Sequence, residues 1–425
     1  MRHGSAPART SRRRVRRAER ARRHTLVLIG LIAALLWSHV SVASAEEASA
    51  PTAAELDSVQ EALDGIVAGG APAALAIVDH GNDSWHGVSG VRDERFHFAP
   101  RVDGRLRVAS ITKTFVAVAV LQSVADDAFG LDDDIADYLP GVLPYDERIT
   151  VRQLLQHTSG IPRDIAHWES LEDVDRQRFE RFTPEELIKL GTDGEPLTFP
   201  PGEGWSYSNL GYVVLGMLLE ETTGTGLHAV LRERIIRPLR LRDTALVTDF
   251  PFLIRPAARG YEQLYDESAA LTDVTTYKYS RVWASGNLVS SPRDLNRFFR
   301  ALLGGELLPA DELSDMKNTV ATDGELGGFE YGLGLMAWRD RCDEQTWWGH
   351  GGDLPGYHTW SLHTAGAQRQ VTTGMTRSLT ASMESADSMI NGVLPAALCQ
   401  DADDADPLDA RPMTELSVLG SQTMP

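Results

Sequence analysis

Cysteine is scarce in this chain of 425 residues, which has only Cys342 and Cys399. Two cysteines are too few for a disulfide framework or a cysteine-rich metal site. In an exported protein they would pair with each other, whereas the alternative is two buried free thiols. Stability must therefore come mainly from an apolar core, for which the chain is long enough.

Positive charge is also in short supply, because 41 Lys and Arg residues face 60 Asp and Glu residues and leave a net charge of −19. Ten of the arginines lie in residues 1–45 beside a single glutamate, so the remainder carries −28. Such a surface repels nucleic acid and favours solubility. The sequence therefore predicts no nucleic-acid partner.

A long apolar run is missing, since the longest candidate, Leu26 to Trp37, is short for a membrane span. Arginines precede this run and the small residues Ala43-Ser44-Ala45 follow it, which is typical of a secretory signal peptide. We interpret residues 1–45 as that signal, with the mature chain starting near Glu46 and no stable membrane anchor. The protein would then be secreted or associated with the cell envelope. An uncleaved anchor is the alternative, and both Sec and Tat export stay open.

Hydrophobic periodicity predicts an α+β fold in which helices from both chain ends flank an antiparallel sheet. Near the start, a helix over Leu56 to Ile66 precedes strands at Ala73 to Val78 and Ser84 to Val91. Ala284 to Ser291 is predicted as a strand that ends in a helix cap. Four strands and a final helix follow, at Tyr331 to Trp338, Thr346 to Gly349, Tyr357 to His363, Gln370 to Thr376 and Met383 to Leu398.

The same pattern predicts two structural domains, because the central part is mostly helical. Residues 46–125 and 280–400 form the predicted sheet domain, and residues 126–279 form an inserted helical domain. The tail at 401–425 is acidic at its start and without pattern, and we expect it to be disordered.

Ser110 and Lys113 begin a predicted buried helix and lie three residues apart, so they face the same side. Burial would disfavour the charged form of Lys113, which could then take the proton of the Ser110 hydroxyl. Ser110 is thus a candidate nucleophile and Lys113 a candidate base. A helix N-cap serine with a solvent-facing lysine is the alternative.

Two further stretches place polar groups next to rigid elements. Tyr207 and Asn209 lie on a loop directly before a predicted buried helix, a position that suits functional groups. His157 follows another helix, and we interpret it as a structural hydrogen-bonding group. His350 precedes Gly351, Gly352 and Asp353, where glycines would let a ligand approach the backbone. An ordinary glycine hairpin is the alternative for that stretch.

In their order and spacing, Ser110-x-x-Lys113, Tyr207-x-Asn209 and His350-x-Gly352 resemble the motifs of the serine β-lactamase and penicillin-binding protein superfamily. The resemblance extends over most of residues 50–400. It is strongest to the class C β-lactamase-like branch and to secreted D-alanyl-D-alanine carboxypeptidases, in which histidine replaces the lysine of the third motif. Cysteines that flank the last strands occur there as well, which supports a Cys342 to Cys399 disulfide.

The resemblance implies a mechanism through an acyl-enzyme, with no metal and no organic cofactor. Ser110 attacks a carbonyl, and Lys113 and Tyr207 share the proton transfers. Tyrosine has a pKa of about 10, so its phenolate needs a neighbouring cation, which Lys113 supplies and to which His350 could add. Asn209 orients the substrate amide and holds Lys113.

The resemblance also implies an oxyanion hole from the backbone N–H groups of Ser110 and Asp353. Gly351 and Asp353 replace hydroxyl residues that bind the substrate carboxylate in the carboxypeptidases. Asp353 would repel such a carboxylate if its side chain faced the pocket. We expect instead that it lies in solvent at a tight turn near Pro355.

The resemblance thus implies a secreted serine hydrolase of the carboxypeptidase or β-lactamase kind. Its substrate would be a small molecule or peptide, such as a peptidoglycan stem peptide or a β-lactam. The His-Gly-Gly form of the third motif also resembles esterases and D-aminopeptidases of the same fold. A penicillin-binding sensor that is acylated without turnover is a further alternative. The oligomeric state is left open.

Overall fold

A computed structural model of the chain describes residues 51–163, 168, 170–247, 249–266, 270–326, 328–339 and 345–399. The predicted signal peptide at 1–45, the predicted disordered tail at 401–425 and Cys342 lie outside these residues. Those three predictions, including the disulfide to Cys399, therefore remain predictions.

The described residues contain twelve strands, which we number along the chain. They are β1 Ala73–His80, β2 Asp83–Gly90, β3 Leu106–Arg107, β4 Ala245–Leu246, β5 Tyr261–Glu262, β6 Thr272–Asp273, β7 Leu288–Ser290, β8 Phe329–Tyr331, β9 Met336–Arg339, β10 Thr346–Leu354, β11 Tyr357–Thr364 and β12 Arg369–Met375.

The same residues contain twelve α-helices. They are α1 Ala53–Ala68, α2 Thr112–Ala125, α3 Val151–Gln156, α4 Leu171–Arg176, α5 Pro184–Thr192, α6 Asn209–Thr223, α7 Leu227–Leu231, α8 Trp283–Gly286, α9 Pro292–Leu303, α10 Ala310–Met316, α11 Met383–Asp387 and α12 Leu394–Leu398. Three 3-10 turns, Ala109–Ile111, Ile135–Asp137 and Tyr279–Arg281, and two π-helical segments, Arg232–Ile236 and Ser388–Val393, complete the helical structure of these residues.

Seven strands form one sheet in the order β2-β1-β12-β11-β10-β9-β8, and every neighbouring pair is antiparallel. Strands β1 and β2 come from the start of the chain, whereas the other five come from its C-terminal part. The predicted antiparallel sheet, built from both ends of the chain, is therefore confirmed.

Helices cover both faces of this sheet, and the side chains of each strand alternate between the two faces. Along β1, Ala74, Ala76 and Val78 join the core formed with α1 and the C-terminal helices. Leu75, between them, joins the other core, which includes α2 and α9. The predicted α+β arrangement with flanking terminal helices follows from this alternation.

Local sequence explains the start of α1 and the burial of α2. Thr52 accepts a hydrogen bond from Glu55 N, and the Glu55 carboxylate accepts one from Thr52 N, so α1 starts at a capping box. Helix α2 is buried on nearly all sides, as an apolar run from Phe115 to Leu121 requires. Stacking of Phe115 on Phe298, with ring centroids 3.7 Å apart, joins α2 to α9.

Two predicted elements differ in the structure. Trp283–Gly286 is a short helix, and only Leu288–Ser290 of the predicted strand at Ala284 to Ser291 is extended. The predicted strand at Tyr331 to Trp338 is a hairpin of β8 and β9, because Gly334 adopts a positive φ of 75° that reverses the chain. Both differences arise at turns, where periodicity carries little information.

The described residues belong to one compact unit. Helices α3 to α7 lie between the two sheet-forming parts of the sequence, and the predicted split into a sheet domain and a helical domain stays a prediction. Across the ranges given above, we find no helix with the length and apolar character that crossing a bilayer would require.

Candidate active site

Ser110 lies in the 3-10 turn that leads into α2. The preceding residue, Ala109, has a φ of 47°, which is unfavourable for a residue with a Cβ atom. Thr112 stabilises this turn, because its hydroxyl donates to Ala109 O at 2.6 Å and accepts from Leu288 N at 3.0 Å. The turn therefore presents Ser110, which is partly exposed, at the start of a buried helix.

Lys113 is fully buried beneath Ser110, so the alternative of a solvent-facing lysine is wrong. Its Nζ lies 3.1 Å from Ser110 Oγ, 2.8 Å from Asn209 Oδ1 and 2.9 Å from Ser285 O. Burial lowers the pKa of Lys113 well below its usual value, and the charge of Arg163 lowers it further.

A neutral Lys113 matches these three contacts atom by atom. A neutral amine has two N–H donors and one lone pair. Asn209 Oδ1 and Ser285 O are acceptors only, so they take the two donors. The lone pair is then left for the proton of the Ser110 hydroxyl. The geometry thus supports Lys113 as the base and Asn209 as the group that holds it.

His157 positions the loop that carries Tyr207, as its predicted structural role requires. It caps α3 with a left-handed φ of 62°, its Nδ1 accepts from Ser208 N at 3.0 Å, and its carbonyl accepts from Ser206 N at 3.0 Å. Ser208 in turn caps α6 by accepting from Gly211 N at 3.1 Å. Tyr207 and Asn209 therefore lie at the start of a rigid helix, as predicted.

The hydroxyl of Tyr207 is buried next to Ser110, without a hydrogen bond of normal geometry to any described residue. Burial raises the pKa of Tyr207, and the nearby Asp353 charge adds to this increase. The Ser110 hydroxyl and Arg163 act in the opposite direction. Lys113 Nζ lies 4.7 Å from the Tyr207 ring centroid. Tyr207 is thus a neutral phenol in the resting enzyme, not the phenolate that we expected a charged Lys113 to stabilise.

The third motif lies within β10, so the hairpin alternative is wrong. Strand β9 pairs with β10 only from Thr346 to Gly349, which leaves one edge of β10 open beyond that point. A Cβ atom on Gly352 would lie 2.3 Å from Val108 O and 2.9 Å from Ser110 N. Glycine is thus needed at position 352 for β10 to approach the nucleophile turn. The predicted oxyanion role of the next residue, Asp353, stays a prediction.

A Cβ atom on Gly351 would meet the Trp360 ring at 2.9 Å, on the opposite face from Gly352. Gly351 is therefore needed for packing within the sheet. Its predicted role in substrate binding stays a prediction.

His350 is fully buried between Tyr331 and its own strand. Its Nε2 lies 3.0 Å from the Tyr331 hydroxyl, and its Nδ1 lies 2.6 Å from Gly351 O. Burial lowers the pKa of His350 to about 3, with a further contribution from Lys113. A neutral imidazole does not supply the cation that we expected from it. Its catalytic role stays a prediction.

Asp353 does not lie in solvent, which corrects our expectation. Only 11% of its side chain is exposed, and its Oδ1 accepts from Ser378 Oγ at 2.8 Å and lies 2.7 Å from His358 Nδ1. His358 pairs directly with Asp353 across β10 and β11. The carboxylate is thus fixed to β11 and to the segment after β12.

Three groups at this site were not predicted from the sequence. The Ser285 carbonyl is a main-chain atom, and no residue type specifies its position. Arg163 follows the turn after α3, and its Cζ lies 5.5 Å from the Tyr207 ring centroid. Glu325 accepts from Arg163 Nη1 and from Tyr207 N, both at 3.4 Å.

Ser110, Lys113, Tyr207 and Asn209 come from distant parts of the sequence and meet at one buried point beside an open strand edge. A serine hydroxyl in contact with a buried amine whose pKa is lowered is the arrangement of a serine hydrolase. The fold and this site define that class of protein.

Comparisons with known proteins agree with this class. The sequence profile of the Beta-lactamase family matches residues 59–385. A D-stereospecific amidohydrolase from Streptomyces sp. has a similar structure, with a TM-score of 0.72 and 34% sequence identity over 81% of this chain and 99% of that chain. This chain belongs to the Beta-lactamase family. The superfamily resemblance is therefore confirmed, whereas the class C and carboxypeptidase details stay predictions.

Two relatives have names that indicate different functions. Penicillin-binding protein 4* of Bacillus subtilis (strain 168) is 27% identical over 268 residues, which are 61% of this chain and 58% of that protein. Esterase EstB of Burkholderia gladioli is 34% identical over 196 residues, which are 42% of this chain and 48% of that protein. The chain thus spans about half the length of these relatives.

Proposed function

We propose that this protein hydrolyses amides or esters of D-amino acids through an acyl-enzyme on Ser110. The single observation that carries the acyl-transfer mechanism is the set of contacts around Lys113. In the neutral amine, two acceptors occupy the N–H groups, which leaves the lone pair for the Ser110 hydroxyl, whose Oγ lies 3.1 Å from Nζ. The nucleophile is therefore activated before substrate binds.

The proton transfers follow from this arrangement. The Ser110 proton moves to Lys113 as Oγ bonds to the carbonyl carbon. When the bond to the leaving group breaks, the Tyr207 hydroxyl gives its proton to the leaving group. Lys113 then passes its own proton to Tyr207. Water then attacks the carbonyl carbon of the acyl-enzyme, and the same groups transfer the protons in the reverse direction. The acid product leaves and the Ser110 hydroxyl is restored.

Asp353 supports a substrate without a carboxylate near the scissile bond. Its charge acts on Tyr207, and a negative charge at that range disfavours an anion in the site and favours a neutral amide, an ester or a free amine. The similarity to the D-stereospecific amidohydrolase, which extends over 99% of that chain, supports the same substrate class. The similarity to EstB supports ester cleavage.

Carboxypeptidase or β-lactamase activity is the second candidate, and the penicillin-binding relative favours it. This candidate needs a site for the carboxylate of a peptide or β-lactam. Asp353 opposes such a site. We therefore place this activity behind the amidase and esterase activity.

The test combines covalent labelling with a substrate panel. The purified protein is incubated with a fluorescent penicillin and with the amides of D- and L-phenylalanine, a nitrophenyl acetate ester and a D-Ala-D-Ala peptide. We expect the D-amide to be cleaved at least tenfold faster than the L-amide, with an adduct on Ser110 in intact-mass spectra. Faster cleavage of the peptide than of the D-amide would instead identify a carboxypeptidase. A penicillin adduct that persists without turnover of any substrate would identify a sensor.

A further inference from the structure

Arg163 lies where it can act on the base and on the phenol of the site at the same time. Its guanidinium carbon lies 5.5 Å from the Tyr207 ring centroid, and its side chain is 24% exposed. Its carbonyl accepts from Asn209 N at 3.0 Å, so its backbone is fixed to the start of α6. Asn209 in turn holds Lys113.

Glu325 fixes the guanidinium in this position. Its Oε2 lies 3.4 Å from Arg163 Nη1 and accepts from Tyr207 N at the same distance. The carboxylate is 33% exposed, so solvent screens the ion pair and Glu325 cancels only part of the Arg163 charge at the buried amine. The Arg163 charge acts on both Lys113 and Tyr207.

Within the described residues, the aromatic rings and imidazoles around Lys113 do not provide such a charge. The rings of Tyr207 and Tyr212 lie 4.7 Å and 5.5 Å from its Nζ, and both are neutral phenols whose pKa burial raises. The imidazoles of His157 and His350 are buried, and burial lowers the pKa of each. The negative group whose charge reaches Tyr207 is Asp353.

We propose that Arg163 supplies the positive charge of this active site and acts through Lys113 and Tyr207 rather than on the reacting bond. This inference rests on the proposed acyl-enzyme function and identifies a positioning residue for it. The cation disfavours protonation of Lys113 and favours a negative charge on Tyr207. From the sequence, Lys113 was the expected source of this charge, to which His350 could add.

The inference predicts the direction in which the pH dependence of the acylation rate shifts in each variant. Lys113 must be unprotonated to accept the Ser110 proton, so the acid limb of the rate profile follows the pKa of Lys113. In Arg163→Gln this pKa rises, and the acid limb moves to higher pH by on the order of one unit. In Glu325→Gln the Arg163 charge is no longer partly cancelled, and the acid limb moves to lower pH. Arg163→Lys keeps the charge and restores the wild-type profile.

Arg105→Gln is the matched control, because Arg105 and Asp243 form an ion pair of similar length and exposure, at 3.3 Å with both side chains 25% exposed. The rate at which a fluorophosphonate labels Ser110 is measured from pH 5 to 10 for each variant. We expect Arg105→Gln to follow the wild type. Thermal unfolding identifies any variant that fails to fold, and Arg163→Lys then carries the comparison.

The outcomes separate the two proposals. If the wild type is not labelled at any pH, the proposed acyl-enzyme function fails. If the wild type is labelled but Arg163→Gln shifts the acid limb no more than Arg105→Gln, the role of Arg163 is wrong. Shifts of opposite sign in Arg163→Gln and Glu325→Gln would support it, since loss of structure alone does not reverse sign.

Discussion

Lys113 shows how much of the chemistry depends on a single side chain and its surroundings. An exposed lysine amine is protonated at neutral pH and cannot accept a proton. Here burial favours the neutral form, and Asn209 and Ser285 accept its two N–H groups. The residue type alone therefore does not make a base, whereas its burial and its two acceptors do.

We expect Ser110→Ala and Lys113→Arg to lose activity for different reasons. The alanine variant lacks the nucleophile and should form no acyl adduct. The arginine variant keeps a cation but cannot release a proton, so its acylation rate should fall by roughly 10²–10⁴. Intact-mass labelling over time measures both. An adduct on Ser110→Ala, or normal acylation of Lys113→Arg, would refute the assignment.

His350→Gln should leave the acid limb of kcat/KM in place. The wild-type pKa of His350 is lowered to about 3, so this group stays neutral through the range in which the enzyme is assayed. The rate itself can fall, because Tyr331 loses its partner. A rate profile over pH 5 to 10 provides the measurement. If the acid limb disappears, His350 rather than Lys113 is the titrating base.

Asp353→Thr should change the choice of substrate. Removing an anion close to the bound substrate should raise kcat/KM for a D-Ala-D-Ala peptide relative to its C-terminal amide by at least fivefold, equivalent to roughly 1 kcal/mol or more. Asp249→Thr, which removes an exposed carboxylate paired with Arg181, is the control. An unchanged ratio in Asp353→Thr would mean that Asp353 does not repel carboxylates.

At the scale of the element, the nucleophile turn and β10 depend on each other. The turn places Ala109 in a left-handed conformation, and its Cβ fills the space next to Gly352. Strand β10 in turn carries Asp353, the residue after Gly352. Neither element forms the site alone, since the turn supplies one predicted oxyanion donor and the strand supplies the other.

Gly352→Ala tests this contact. The added methyl would lie 2.3 Å from Val108 O, so β10 must move away from the turn. A shift of a few tenths of an ångström or more at an oxyanion donor should lower kcat by about 10- to 1,000-fold. Gly366→Ala is the control, because its methyl would meet only Gln368 at 3.9 Å. Similar kcat values for the two variants would show that the close approach is not required.

At the scale of the whole molecule, buried polar groups connect segments that are far apart in sequence. Glu262 is fully buried, and its carboxylate accepts from the backbone N–H groups of Gly356, Ser378, Leu379 and Thr380. It thereby fixes the turn after β10 to the segment after β12. Ser378, in that segment, holds Asp353. The specificity of the site thus depends on a residue of a short peripheral strand.

We expect the exported protein to begin near Glu46 and to contain an oxidised pair of Cys342 and Cys399. The closed loop of 58 residues would stabilise the fold by roughly 4 kcal/mol in the chain-entropy model. Mass spectrometry of unreduced protein from the culture medium measures both the start of the chain and the disulfide. Two free thiols, or a chain that keeps residues 1–45, would contradict the secretion proposal.

Patterns within short windows were sufficient to predict much of the fold. Helix α1, the hairpin of β1 and β2, and helix α6 were predicted within a few residues, because each buries an apolar face with a regular period. Ser110, Lys113, Tyr207 and Asn209 were also found from sequence. Their residue types and spacing are those that acyl transfer requires. The sequence by itself thus predicted the antiparallel sheet, the superfamily and the class of chemistry, and Ser110 stays the predicted nucleophile.

Only the tertiary structure decided the electrostatics of the site. The sequence does not show that His350 is enclosed and uncharged, that Asp353 is fixed to Ser378, or that Arg163 faces Tyr207. These properties depend on burial and on distances between segments that are far apart along the chain. Charge states respond to such surroundings, whereas hydrophobic periodicity is a local property of the sequence.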